Sequence, residues 1–291
     1  MRNNTAASRL PEWLRKPAGA SSCSHEMKRR LRAHGLHTVC EEARCPNIGE
    51  CFSRGTATLM IMGDLCTRSC RFCAVKHGTP EPLDPGEPER VAAQIAELGL
   101  SHAVITSVTR DDLPDGGAAH FAATILKTRS VSPGTVIEVL TPDFEGRDED
   151  IATVCEAGPD IFNHNIETIE RLTPQVRSSA SYRRSLAVLF TARKLLPKMH
   201  IKSGLMVGLG ETPDEVDAVL ADLAKSGCDI VTIGQYLKPA KTSLPVEEYL
   251  EPEVFLEYEE MGLSHGIKRV FAGPFVRSSY MADKASLKQE A

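Results

Sequence analysis

No run of apolar residues in this 291-residue chain approaches the roughly 18 that would cross a bilayer, so no membrane span is expected. The first ten residues hold Arg2 and Arg9 but no apolar h-region, which argues against a secretory signal. Few residues precede what reads as mature sequence, which also disfavours a transit peptide. There is no internal repeat, no low-complexity tract and no recognisable nucleic-acid reader module. Two further absences concern the cysteines. The chain is too long and too ordinary in its 42% hydrophobic content to need a disulfide framework, which belongs to small secreted domains. The paired C-x2-C spacing of a zinc ribbon is missing as well.

What is present begins with an asymmetry of charge. Residues 1–35 carry eight Lys or Arg against Glu12 and Glu26, about +6, which leaves about −11 on the rest of a chain of net charge −5. Such a segment is usually a solvated face; its sharper reading is a dock for an acidic protein through Lys28, Arg29 and Arg30. Nucleic acid is a poor partner for so acidic a body.

Six of the nine cysteines lie between residues 40 and 73. They form C-x4-C-x5-C (Cys40, Cys45, Cys51) and C-x3-C-x2-C (Cys66, Cys70, Cys73). Arg44, Arg68 and Arg71 flank them, and nearby cations favour thiolates. Three thiolates are one ligand short of a structural zinc site or an ordinary electron-carrying [4Fe–4S] site. Each triad therefore points to a cluster with an open iron. Unpaired thiols and oxygen-sensitive clusters suit a reducing cytoplasm. Cys23, Cys155 and Cys228 match no ligand position.

From residue 57 the chain alternates β-type runs with amphipathic stretches. Strands are expected at Ala57–Gly63, Ser101–Val108, Val136–Thr141, Ile161–Ile166, Lys202–Leu209 and Asp229–Leu237. Helices are expected near 88–99, 116–130, 148–157, 181–196 and 213–227. Thr212-Pro213-Asp214-Glu215 signals a helix start, and Gly99, Gly158 and Gly227 signal helix ends. This order predicts an α/β fold, a partial (β/α)6 TIM-like barrel, with site residues at the C-terminal strand ends. Residues 1–54 and 251–291 then form N- and C-terminal extensions around a barrel over 55–250.

Cys66-x3-Cys70-x2-Cys73 after a first strand resembles the signature of the radical S-adenosylmethionine (SAM) superfamily. The upstream triad, together with Gly273-Pro274-Phe275-Val276-Arg277-Ser278-Ser279-Tyr280, resembles the two terminal motifs of the lipoyl synthase family. Thr106–Leu113, Phe162–Thr168 and Gly234–Leu237 are similar to that family too, so the likeness runs from about Leu10 to Ala282. It implies two [4Fe–4S] clusters and SAM as cofactors. Cys66, Cys70 and Cys73 would hold the cluster that cleaves SAM. Cys40, Cys45, Cys51 and Ser279 would hold an auxiliary cluster that donates sulfur, with Ser278 as the alternative fourth ligand. The implied reaction inserts sulfur at C6 and C8 of a protein-bound octanoyl-lysine. SAM contacts would come from Gly116 and Gly117, from Asn165 and Glu167, and from Gly208. Ala118 stands where the superfamily's Gly-Gly-Glu motif has Glu, so backbone carbonyls or Asp111, Asp112 and Asp115 would have to help. Many family members also have a His where this chain has Ser243. Implied partners are an octanoylated lipoyl-carrier domain or glycine-cleavage H protein, a low-potential donor such as ferredoxin or flavodoxin, and an iron–sulfur carrier. Two other readings stay open: sulfur insertion into a free small molecule, and an iron–sulfur scaffold or electron carrier.

Overall fold

A computed structural model describes residues 10–15, 29, 37–38, 45, 47–53, 56–280 and 282. Cys40, Cys23, Lys28 and Arg30 lie outside the described residues. Strands are β1 His37–Thr38, β2 Thr56–Ile61, β3 Leu65–Cys66, β4 Lys76–His77, β5 His102–Ser107, β6 Val136–Leu140, β7 Ile161–Asn163, β8 His200–Val207, β9 Ile230–Gln235 and β10 Arg269–Gly273. Helices are α1 Ile48–Ser53, α2 Glu87–Glu97, α3 Ala118–Val131, α4 Asp148–Glu156, α5 Thr173–Val176, α6 Tyr182–Leu195, α7 Pro213–Lys225 and α8 Pro252–Ser264.

The main sheet runs β1-β2-β5-β6-β7-β8-β9-β10, all parallel except the β1–β2 edge, and β3 pairs with β4 alone. Helices cover one face and the sheet curls round the other, an open barrel rather than a closed one. β2 and β9 are buried at every position, as strands covered on both faces must be. The six expected strands are all present. A seventh parallel strand, β10, was not expected; its five residues, only one of them buried, carry too little periodicity to announce a strand. Helix α7 opens on a reciprocal capping box between Thr212 and Glu215, which satisfies two otherwise orphaned donors. Gly99, Gly158 and Gly227 have φ of 60, 76 and 83°, the left-handed turn that ends a helix and feeds a strand. Among the described residues no helix is long and apolar enough to cross a membrane.

The barrel interior is not wholly apolar. Glu138 on β6 and Lys202 on β8 are both fully buried and paired at 2.8 Å. His102 reaches the other Glu138 oxygen at 3.2 Å, and Asn163 donates to the first at 2.9 Å. Burial opposes the Glu138 charge, yet Lys202 and His102 outweigh it and hold the carboxyl at about 2. A Lys202→Met variant strands that carboxylate, so a loss of about 3–5 kcal/mol of stability is expected from urea unfolding at neutral pH. The sign with pH follows. In the native protein this contribution is present above the ordinary 4.5 and fades as pH falls towards about 2. In the variant that acid-side loss should vanish.

Candidate active site

The second triad is positioned by the short β3–β4 ladder. Cys66 ends β3, and the loop that returns to β4 carries Cys70 and Cys73. That loop is pinned on three sides: Thr67 N–H donates to Thr109 O at 3.0 Å, Arg71 N–H to Val176 O at 3.0 Å, and Leu244 N–H to Arg71 O at 3.1 Å. Buried Arg68 reaches Asp111 at 2.7 Å and Asp143 at 2.8 Å, clamping the loop to the sheet ends. Backbone N–H groups of Arg68 and Thr109 point at the Cys66 sulfur at 3.4 and 3.3 Å, and that of Val75 at the Cys73 sulfur at 3.4 Å. Such donors favour a thiolate. Desolvation works the other way, raising the Cys70 thiol and taking the Cys73 thiol up to about 11. Bound metal resolves the conflict, because a coordinating thiol is deprotonated outright.

All three cysteines line a cavity of about 380 Å³ at the C-terminal ends of the strands. Among the described residues no group of His, Cys, Asp or Glu is tight enough for a single metal ion. A cubane cluster asks for something wider, since each thiolate takes a different iron. The donor set fits such a cluster with SAM beside it. Ser107 Oγ, at the end of β5, is buried without a partner while the residue lines this cavity. A buried unpaired hydroxyl calls for a ligand group.

Asn165 and Glu167 reach the same cavity through a break in strand regularity. β7 ends at Asn163, yet Glu167 resumes pairing beside Leu205, with Glu167 N–H to Gly204 O and Met206 N–H to Glu167 O both at 2.9 Å. The chain bulges between, and Glu167 takes φ 66°, a left-handed conformation that costs a non-glycine residue free energy. Burial raises its carboxyl above the usual range, against the opposing charge of Arg177 and a 3.1 Å hydrogen bond from Asn165. Its neighbours in the motif serve the frame. His164 is held by Thr141 O at 2.9 Å and Ser185 Oγ at 3.0 Å, and burial takes it down to about 4.

Three residues expected to contact SAM, Gly116, Gly117 and Gly208, are not among those lining the two cavities. Gly116 and Gly117 line neither large cavity; a Cβ on Gly117 would strike the Met62 side chain, and one on Gly116 would touch Phe144. The pair makes the turn into α3, where Asp115 accepts from Gly117 and Ala119 N–H at 2.9 Å. Gly208 faces Gln235 and the Glu248 carbonyl instead of the cavity. The glycines that do line a cavity are Gly204 and Gly234. Asp111 and Asp112 are engaged as well, by Arg68 and by Arg110 at 2.8 Å. Residues 106–109, at and after the end of β5, line the cysteine cavity instead.

A larger cavity of about 460 Å³ adjoins the first and shares Phe72, Cys73, Val75, Leu140, Asn165 and Glu167 with it. Cys45, Cys51, Ser278 and Ser279 line its other side. Both chain ends build this wall. Asn47 Nδ2 donates to Phe275 O at 2.6 Å, and Tyr280 Oη donates to Glu50 at 2.9 Å, so α1 and the 273–280 segment are clasped together. Ser278 is occupied: its hydroxyl accepts from Asn163 at 2.8 Å and donates to Asn165 at 3.0 Å. Among the described residues Ser279 has no side-chain hydrogen bond. Burial lowers the Arg277 guanidinium below its ordinary value, with Cys45 opposing.

Two site residues escaped the sequence reading. Arg177, buried, lines the cysteine cavity and binds the Asn165 and Ile166 carbonyls at 3.2 and 3.3 Å, offering a cation to a carboxylate ligand. Ser107 is the other. Neither sits in a spaced pattern; Ser107 was flagged by the end of a strand and by the Thr106–Leu113 likeness but given no role, and Arg177 follows a four-residue helix no periodicity reveals. Ser243 is buried in the cavity wall beside Arg71.

Comparisons with known proteins fall on this geometry. The radical SAM superfamily model matches residues 60–234, and the model for the N-terminal domain of lipoyl synthase matches residues 1–45. The lipoyl synthase of Caldicellulosiruptor saccharolyticus is 52% identical over 276 residues, 95% of this chain and 97% of that protein. That of Bacteroides fragilis is 53% identical over 277 residues, 95% of each. Among solved structures, methylornithine synthase superposes with TM-score 0.55 at 13% identity, covering 86% of this chain and 85% of that one. The [FeFe]-hydrogenase maturase HydG superposes with TM-score 0.58 at 15% identity, covering 86% of this chain and 62% of the other. At such identities the structures speak to fold alone.

Proposed function

The chain belongs to the lipoyl synthase family of the radical SAM superfamily, and we propose from that premise a two-cluster sulfur insertion at C6 and C8 of an octanoyl-lysine. It is a radical SAM enzyme of sulfur insertion, with a [4Fe–4S] cluster and SAM as cofactors and a protein-bound octanoyl group as substrate. In this reading Cys66, Cys70 and Cys73 hold the first cluster, and Cys40, Cys45, Cys51 and Ser279 an auxiliary one. When bound, the first cluster with SAM supplies the hydrogen-abstracting radical and the auxiliary cluster supplies sulfide.

The chain's own residues do the rest. Arg68, tied to Asp111 and Asp143, fixes the cysteine loop. Arg177 and Ser107, which line the cysteine cavity, would hold SAM's amino-acid end, and Asn165 and Glu167 its ribose. Leu140, Leu205, Met206, Leu237 and Val276 wall the larger cavity with apolar surface suited to an eight-carbon chain and hostile to water. The carrier is proposed to be a lipoyl domain or H protein, the electron source ferredoxin or flavodoxin, the auxiliary cluster's supplier an iron–sulfur carrier, and the compartment the cytoplasm. The terminal segments up to residue 54 and from 251 are proposed to work as one clasp about the barrel.

A single observation supports the reading most: Cys45, Cys51 and Ser279 line one cavity with Cys73, Asn165 and Glu167. Ser279 is chosen over Ser278 because its hydroxyl is uncommitted. An alkoxide is a harder, more basic ligand than a thiolate and is released on protonation, which suits a cluster that must give up an iron. The test is Ser279→Ala, reconstituted without oxygen. About eight irons per chain are expected in the native protein. The variant should keep cleaving SAM while lipoyl product falls to background; normal product formation would end the assignment.

A further inference from the structure

One chain of hydrogen bonds runs from the buried interior of the barrel to the partly buried cavity wall, and its role as a connected whole is not used in the chemistry described so far. It starts at the Lys202–Glu138 pair, runs through Asn163, passes to Ser278 at 2.8 Å, to Asn165 at 3.0 Å and to Glu167 at 3.1 Å. The donors are dictated. Ionised Glu138 only accepts, so the Asn163 amide must turn its NH₂ towards it and has its second N–H for Ser278. Having accepted there, the Ser278 hydroxyl turns its own proton to Asn165 Oδ1, which aims the Asn165 NH₂ at Glu167. Every member has one role, set by a fixed buried anion at one end.

Ser278 is the member that does not belong to the barrel. Asn163, Asn165 and Glu167 come from one strand and its bulge, whereas Ser278 lies more than 110 residues away in sequence, on the segment that carries Ser279. We propose that Ser278 is a positioning residue whose hydroxyl locks the 273–280 segment to Asn165, so that SAM at the Asn165–Glu167 wall tightens the segment presenting Ser279, and the seated segment tightens SAM. Reciprocity is obligatory for such a coupling. It rests on the reading of Asn165 and Glu167 as SAM contacts and of Ser279 as a ligand. Its benefit is order: the sulfur-donating site is drawn up when the radical source is loaded.

The test uses anaerobically reconstituted holoenzyme, with SAM binding by equilibrium dialysis and hydrogen exchange of segments 163–167 and 273–280. In the native protein SAM should slow exchange in both segments. Ser278→Ala should bind SAM roughly fivefold more weakly, the size of one neutral hydrogen bond, and should lose the SAM-dependent slowing at 273–280 alone. Ser278→Thr, which keeps the hydroxyl, should restore both. A segment equally loosened with and without SAM would reduce Ser278 to a structural residue and overturn the proposal. So would a Ser278→Ala variant with native SAM response. No protection of 163–167 in the native protein would instead remove the SAM-contact reading. A changed auxiliary-cluster spectrum in Ser278→Ala without SAM would make Ser278 itself the ligand and sink both.

Discussion

A Cys70→Ala variant should release no 5′-deoxyadenosine from SAM under reducing conditions, while retaining about half of the native iron. Cys70 lines the smaller cavity and not the larger, so on the proposed two-cluster reading its loss should strike one cluster and spare the other. Without a third thiolate, two irons lie open and the cluster is no longer a single-vacancy ligand for SAM. The loop should nevertheless keep its path, because Arg68 with Asp111 and Asp143, and the backbone of Arg71, hold it independently of the thiol. An unchanged circular dichroism spectrum and melting temperature are therefore expected beside the lost activity. Iron assay and chromatography of the reaction give the answer. The same assay separates an enzyme from a cluster scaffold, since a scaffold forms no deoxyadenosine even as the native protein.

Gly234→Ala should be nearly as severe and opposite in character. Gly234 lies on β9 where the C-terminal segment crosses it; an added Cβ would stand 3.0 Å from the Val276 carbonyl carbon, closer still to its oxygen, and 3.2 Å from Arg277 Nη1. Backbone cannot rotate aside as a side chain does, so the segment must lift. Overpacking of this kind costs about 1–3 kcal/mol. A larger loss falls on function, because a displacement of an ångström at a reacting centre costs about a hundredfold. Lipoyl product should drop by at least that much while SAM cleavage continues. Mössbauer spectra should report loss of the auxiliary cluster only. A variant with native product yield would show that the 276–277 path over Gly234 is dispensable.

Much of this candidate site was legible because its proposed ligands are written in spacing. Cys66, Cys70 and Cys73 are close in sequence, at the end of β3 and on the loop that follows, and Asn165 and Glu167 follow the short buried strand Ile161–Asn163. The glycines of the expected SAM motifs sit outside the two cavities for a physical reason. Gly116, Gly117 and Gly208 satisfy positive φ and close packing on their own side of the backbone, needs indistinguishable in sequence from approach by a ligand. Gly204 and Gly234 lie inside strands without positive φ, and they make room for Thr232 and Asn165 and for the Val276 backbone respectively. β10 was missed because its pairing is supplied by β9 rather than by its own pattern. The choice between Ser278 and Ser279 was closed to spacing, as adjacent serines differ only in which way each hydroxyl turns.

The clasp between the two chain ends has a consequence for biogenesis. Asn47 and Phe275 are 228 positions apart, and Glu50 and Tyr280 are 230. In the proposed reading the SAM-cleaving cavity has all its cysteines by residue 73, whereas the auxiliary site can be closed only once the 273–280 segment has been made and has reached Asn47 and Glu50. A prematurely ended or clipped polypeptide would therefore be worse than inactive: it would burn SAM and reducing power with nothing to deliver.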